Sequence, residues 1–271
     1  MTTPANPRMP VYFISHGGGP WPFVDGMREQ FVLTERELRV LPQRLPHKPS
    51  AILVITGHWE EEQLAVSSSA QPGMEYDYSG FPAHTYQIKY PAPGSPELAG
   101  RVRDQLAQAG FPAHEDAARG FDHGTFVPVG LMYPDAEVPV VMLSLKSSYD
   151  AREHIRIGAA LQPLRDEGVL IIGSGLTYHN MRGFGRAEST AVADSFERFL
   201  SHAVEQESGE RNTLLAQWEQ APHARAAHPR EDHLLPLMVV AGAAGTDPGR
   251  TVFRDHAMQV PMASYEFGGP V

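Results

Sequence analysis

Four near-continuous apolar runs constrain this chain more than any other feature: VYFIS (11–15), AILVITG (51–57), VPVVMLSL (138–145) and GVLIIGSG (168–175). Each is rich in β-branched residues and lacks the alternation of a strand with one wet face. Such runs belong to strands buried on both faces, as in a sheet covered by helices. Helical patterns fall between them. SPELAGRVRDQLAQAG (95–110) opens on a Ser cap with Pro at the first helical position and stops at Gly110. DAREHIRIGAALQPLRDEG (150–168) runs from Asp150 to Gly168, and Pro163 is predicted to kink or split it. ESTAVADSFERFLSHAVEQ (188–206) places Val192, Phe196, Phe199 and Leu200 on one face. MASYEF (262–267) reads as a late strand, and 70–94, rich in Pro, Gly and Tyr, as an irregular loop around a short strand. The expectation is one α/β domain over 1–271, with a central, mainly parallel or mixed sheet flanked by helices.

Composition narrows the chemistry. The chain has no cysteine, which excludes disulfides, thiolate zinc sites, iron–sulfur clusters and cysteine nucleophiles. Any metal must sit on nitrogen and oxygen. A net charge of -10 argues against a general nucleic-acid binder, because phosphate binding needs a basic surface. The amino-terminal MTTPANPRMP lacks the apolar stretch of a signal peptide. The longest apolar run, LLPLMVVAGAAG (234–245), falls short of the roughly 18–20 residues of a membrane span and reads as a buried helix. A soluble, cytoplasmic protein without a membrane partner is expected.

Thirteen histidines stand out, where average usage would give about five or six. His16 follows the first apolar run, His58 the second and His179 the fourth. The carboxyl edge of an open α/β sheet is where ligands bind, so parallel strands would bring the three imidazoles to one crevice. Gly17, Gly18, Gly19, Gly57, Gly173 and Gly175 are expected to leave room there. His123 lies in a glycine-flanked loop, GFDHGTF, and His233 in HPREDHLLPL with His228, Glu231 and Asp232 nearby. One histidine after a strand is usually an ordinary solvated residue. Three with the same placement, plus an acid/histidine cluster, point to a histidine-rich metal site. His47, His84, His114, His154, His202, His223 and His256 sit in polar or irregular contexts and read as ordinary. Two or three imidazoles, with or without a carboxylate, suit Fe(II), Mn(II) or Zn(II). The HExxH, GxSxG, Walker A and GxGxxG patterns are absent.

Six stretches carry a resemblance: SHGGGP (15–20), TGHWE (56–60), SGFPAHTYQIKYPAPGSPELA (79–99), GFDHGTFVPVGLMYP (120–134), GSGLTYHNMR (173–182) and HPREDHLLPL (228–237). In that order, over nearly the whole chain, they resemble the class III extradiol ring-cleavage dioxygenases, in the 4,5-DOPA extradiol dioxygenase-like branch. The resemblance implies insertion of both atoms of O₂ into a catechol-type ring beside its two hydroxyls, at a mononuclear non-haem metal. The product would be a ring-opened semialdehyde. His16, His58 and His233 are implied as metal ligands, with Glu231 in reserve for His233. His179 is implied as the acid/base, a role an imidazole fills in both directions near neutral pH. His123 is implied as its helper and a substrate contact. Phe81 and Tyr178 are expected beside the substrate, and Tyr76, Tyr78 and Tyr86 in the same wall. Fe(II) is the expected metal, with Zn(II) as the other occupant and O₂ as co-substrate. The partner is a small catechol-type aromatic, and a homo-oligomer stays open. So do two other readings, a zinc-dependent hydrolase of an amide or ester and a non-catalytic interaction protein that keeps the pocket.

Overall fold

All four apolar runs become strands of one mixed sheet. The computed structural model describes residues 7–269; most of the amino-terminal segment read above, Met1–Asn6, and the last two residues lie outside the described residues. The strands are β1 (Val11–Ser15), β2 (Ala51–Glu61), β3 (Leu64–Ser67), β4 (Ala113–Asp116), β5 (Val140–Lys146), β6 (Val169–Gly175), β7 (Gly249–Ala257) and β8 (Val260–Phe267). Their order in space is β4-β3-β5-β2-β6-β1-β8-β7. β5, β2, β6 and β1 form a parallel centre, and β8 and β7 close one edge as an antiparallel hairpin. The three strands expected to deliver histidines are therefore neighbours running the same way.

The helices are α1 (Val32–Val40), α2 (Pro96–Gln108), α3 (His123–Met132), α4 (Ala151–Leu161), α5 (Ala187–Val204), α6 (Ser208–Ala216), the single turn α7 (Ala224–Ala227) and α8 (Leu235–Ala244). Ser95 caps α2 by accepting from the Leu98 amide at 3.2 Å, and Asp150 caps α4 by accepting from Glu153 at 2.9 Å. Pro163 splits the 150–168 pattern: α4 stops at Leu161 and a 3₁₀ turn, Gln162–Glu167, carries the chain to Gly168 at φ 82°. α8 is buried along its whole length, the expected fate of its apolar run. Among the described residues no helix is long and apolar enough to cross a membrane.

Four expectations need correction. β2 does not end at Gly57 but runs to Glu61 through a bulge between Ile55 and Glu60, so His58 lies within the strand. A bulge re-aims side chains and is common beside active sites. The 70–94 loop holds no strand; it has one isolated bridge, Met74 to Phe121, and a 3₁₀ turn over Ala83–Gln87. His123 is not in a loop but is the first residue of α3, because Asp122 caps that helix. Finally, Gly57, Gly173 and Gly175 do not leave space for a ligand. A Cβ on Gly175 would sit 2.1 Å from the His233 carbonyl oxygen, on Gly173 2.5 Å from that of Pro236, and on Gly57 3.1 Å from that of Asp232. These glycines let the chain entering α8 lie directly on the sheet, which delivers His233 to the strand ends.

Candidate metal centre

Each histidine of interest is fixed by backbone before its ring is considered. His16 follows β1 directly; its amide donates to the Gly175 carbonyl at 3.1 Å, and its own carbonyl accepts from the Trp21 indole at 2.8 Å. Gly17 (φ 79°) then turns the chain away, and a Cβ there would meet that indole at 2.5 Å. His58 is held at the β2 bulge, its amide donating to Thr56 Oγ1 at 3.2 Å. His233 is held by its carbonyl, which accepts from the Leu176 amide at 3.0 Å just past β6. His179 donates its amide to the Ala227 carbonyl at 3.0 Å.

The five rings converge. Ring centroids lie 5.1 Å apart for His16 and His58, 5.3 Å for His16 and His233, 4.5 Å for His58 and His233, and 4.0 Å for His58 and His123. His179 stacks on His233 at 3.4 Å. Two donor groups, His16 with His58 and His123, and His179 with Asp232 and His233, each bring their ligand atoms within 4.8 Å of one another.

Two carboxylates stand behind the imidazoles. Asp77 Oδ1 accepts from the His123 amide at 3.0 Å and faces its ring Nδ1 at 2.8 Å, while Oδ2 lies 3.2 Å from His58 Nδ1. Asp232 Oδ2 faces His233 Nδ1 at 2.8 Å, and Oδ1 is 3.7 Å from His179 Nδ1. A proton on each Nδ1 leaves a lone pair on each Nε2. The Nε2 atoms of His58 and His233 are 3.1 Å apart, and two lone pairs at that distance need a proton or a cation between them. His16 adds a fully buried ring whose two nitrogens have no hydrogen-bond partner among the described residues, a costly arrangement unless something binds there. The donor set thus fits a divalent cation with its ring orientations set by carboxylates.

The electrostatics agree with neutral, ligating imidazoles. Burial, reinforced by the neighbouring histidines, holds His16 and His58 well below the usual imidazole range. Burial and His179 push His233 down to about 4, against the pull of Asp232. Burial alone would raise Asp232, but its contacts with His179 and His233 outweigh this and hold it far below the carboxylate range.

A cavity of about 380 Å³ opens beside the cluster, within the ordinary range for small-molecule sites. All five histidines line it, with Gly17, Gly18, Gly19, Tyr78, Phe81 and Phe184; of the three glycines only Gly18 faces open space, since a Cβ on Gly17 would meet the Trp21 indole at 2.5 Å and one on Gly19 the Phe81 ring at 2.7 Å. Tyr76 and Tyr86 are not lining residues; Tyr76 instead bonds the Ile88 carbonyl at 2.6 Å within its own loop. Tyr178 is buried behind the wall, edge-on to Phe184 at 5.6 Å, and does not reach the cavity. Glu231 is turned away to pair with Arg225 at 2.6 Å, and its neighbour Asp232 holds the inward position. His154 is a structural histidine: Nε2 accepts from the Lys146 amide at 3.1 Å and Nδ1 faces the Asp150 carbonyl at 2.7 Å. Asp77 was missed. It sits in an irregular tyrosine-rich stretch with nothing local to mark it.

The comparisons with known proteins point one way. The family model for the catalytic LigB subunit of aromatic ring-opening dioxygenase matches residues 10–267. A 4,5-DOPA dioxygenase extradiol of Beta vulgaris is 43% identical over 244 residues, covering 87% of this chain and 87% of the relative. One of Escherichia coli K12 is 34% identical over 265 residues, covering 96% and 92%. A solved structure of an uncharacterized protein from Escherichia coli K12 superposes with a TM-score of 0.77 at 30% identity, covering 96% of this chain and all of that one.

Proposed function

The chain belongs to the family of the catalytic LigB subunit of aromatic ring-opening dioxygenase and is an aromatic ring-opening dioxygenase, and from that premise we propose that it cleaves a catechol-type ring beside its two hydroxyls. One observation carries this reading: two imidazole Nε2 atoms 3.1 Å apart, each ring backed by a carboxylate, next to a buried His16 without a partner among the described residues. The relatives named for 4,5-DOPA, itself a catechol, support the substrate class.

His16, His58 and His233 are the residues to hold the metal, and Fe(II) is our reading, with Zn(II) the other ion such a set takes. When bound, Fe(II) supplies the electronic link that lets a catecholate react with O₂, a direct reaction otherwise forbidden by spin. The remaining chemistry belongs to side chains. With Nδ1 turned to Asp77, His123 offers Nε2 to a catechol hydroxyl, where it can accept the proton or a hydrogen bond. With Nδ1 turned to Asp232, His179 has Nε2 left to exchange a proton with the opening ring. Its stacking on His233 fixes the plane in which it does so. Gly18 lets substrate approach the backbone beside His16, and Tyr78, Phe81 and Phe184 keep water from the ring.

Oxygen uptake by anaerobically handled, Fe(II)-reconstituted protein across a panel of catechols tests this. The expected result is catechol-dependent O₂ consumption with a yellow, ring-opened semialdehyde product. No consumption with any catechol would overturn it.

A further inference from the structure

His58 and His123 come from different elements, yet their rings lie 4.0 Å apart. His58 stands at the β2 bulge, where the ladder to β5 is interrupted between Ile55 and Glu60. On that side no neighbouring strand fixes the backbone that carries it. His123 is the first residue of α3. A Cβ on Gly124 would sit 2.5 Å from Thr56 Oγ1 and 2.9 Å from His58 Cδ2, so the first turn of α3 packs directly on the bulge. Asp77 ties the two rings, but it belongs to the irregular 70–94 loop. The two backbones need a tie of their own, because an error of about 1 Å at a reacting centre can cost about 10²-fold in rate.

Arg119 supplies that tie. It lies between β4 and α3, its amide donating to Asp116 Oδ1 at 3.1 Å, and its guanidinium lies over the Trp59 ring at 5.0 Å. From there Nη2 donates to Asp122 Oδ2 at 2.8 Å and to the His58 carbonyl at 3.4 Å. Asp122 is fully buried and caps α3, its other oxygen accepting from the Thr125 amide at 3.0 Å. One nitrogen thus joins the carbonyl of a proposed ligand to the cap of the helix that begins on a proposed substrate contact. Arg119 lines a separate cleft that shares only His58 with the histidine cavity, so it acts on the site through other residues.

We propose that Arg119 is a positioning residue: by holding the cap of α3 against the His58 carbonyl, it sets where His123 stands relative to His58 and how its ring meets a catechol hydroxyl. The inference rests on reading His123 as the substrate contact of a ring-opening site. A guanidinium suits the task. Its rigid plane lies on an indole face while its edge meets two acceptors, which an ammonium on a flexible stem does not reproduce.

Arg119→Ala would leave Asp122 as a buried carboxylate without its cation and can simply unfold the region. The test therefore uses Arg119→Lys, which keeps the charge, and Asp122→Asn, which keeps the cap. Histidine-ring NMR of Zn(II)-loaded protein reads the geometry without any catechol. In both variants the His58 and His123 signals should move while those of His179 stay. In O₂ uptake by Fe(II)-loaded protein, kcat/KM for catechols should fall about tenfold in each variant, with metal affinity within about threefold of wild type. The double variant should lose no more than the weaker single, because both break one link. Unmoved His58 and His123 signals, unchanged kcat/KM in an active protein, or losses that multiply in the double variant overturn the inference. Moved signals in a protein that consumes no O₂ with any catechol leave Arg119 its positioning role and count against ring opening alone.

Discussion

The two halves of the histidine cluster use the same device with different supports. In one half Asp77 bridges His58, a proposed ligand, and His123, a proposed substrate contact. In the other Asp232 bridges His233, a proposed ligand, and His179, the proposed acid/base. Asp232 sits on the rigid approach to α8, pressed onto the sheet by Gly57, Gly173 and Gly175. Asp77 hangs from the irregular 70–94 loop. Asp232 grips its ligand at 2.8 Å and only approaches its partner at 3.7 Å. Asp77 does the reverse, gripping His123 at 2.8 Å and lying 3.2 Å from His58. With the proposed roles, the Asp232 half would fix the metal and the Asp77 half the substrate.

Mutations can break that contrast. The largest effect is expected from His16→Ala, which removes a proposed ligand from a buried site; catechol-dependent O₂ uptake should fall below detection. His179→Ala should lower kcat by roughly 10²- to 10⁴-fold, the range of a lost general acid/base. The two carboxylates sharpen the comparison. Asp232→Asn should weaken metal affinity about 10- to 100-fold, as loss of a carboxylate behind a ligating histidine does. Asp77→Asn should act mainly on KM and kcat for the catechol and change metal affinity by less. Similar metal affinity losses in both variants would show that the halves are equivalent.

The smallest expected effect is on stability and concerns the Asp232 half. His228 is fully buried behind it, against Phe196 and Trp218 with centroids at 5.4 and 6.3 Å. Burial pushes it down to about 3, although the backbone at Thr177 pulls the other way. Its folded value lies below its unfolded value of about 6.5, so it contributes nothing to the pH dependence above that value. As pH falls below about 6.5 the unfolded chain takes up the proton first and stability drops until about pH 3. Between pH 7 and 5 this costs about 2 kcal/mol. In metal-free protein His16, His58 and His233, also held below the imidazole range, add to the fall in urea midpoint, and His228→Gln should reduce the slope by the share that His228 contributes. An unchanged slope would mean that His228 is not held neutral by the fold.

The parallel centre of the sheet was legible because its strands are buried on both faces and read as unbroken apolar runs. β3 and β4 were not, being four residues each, and β7 was not, because at the edge of the sheet three of its nine residues are exposed and only Ala257 is buried. The positions of His16 and His179 followed from strand ends. His58 needed a bulge that no local pattern announces. The glycines of β2 and β6 looked like ligand space and are packing contacts, since a missing side chain says only that something comes close. Asp77 was invisible because its partner His123 is 46 residues away, in a contact made only by the folded loop. Glu231 and Asp232 could not be ranked from sequence, because the short turn before α8 decides which carboxylate points inward.

The division of labour among the histidines is tested most directly by anaerobic Fe(II) titration of three proteins, with metal per chain as the readout. The wild-type protein and His179→Ala should each bind a single Fe(II), and His16→Ala should bind none. Equal loss of metal from His179→Ala and His16→Ala would make His179 a ligand and contradict the account.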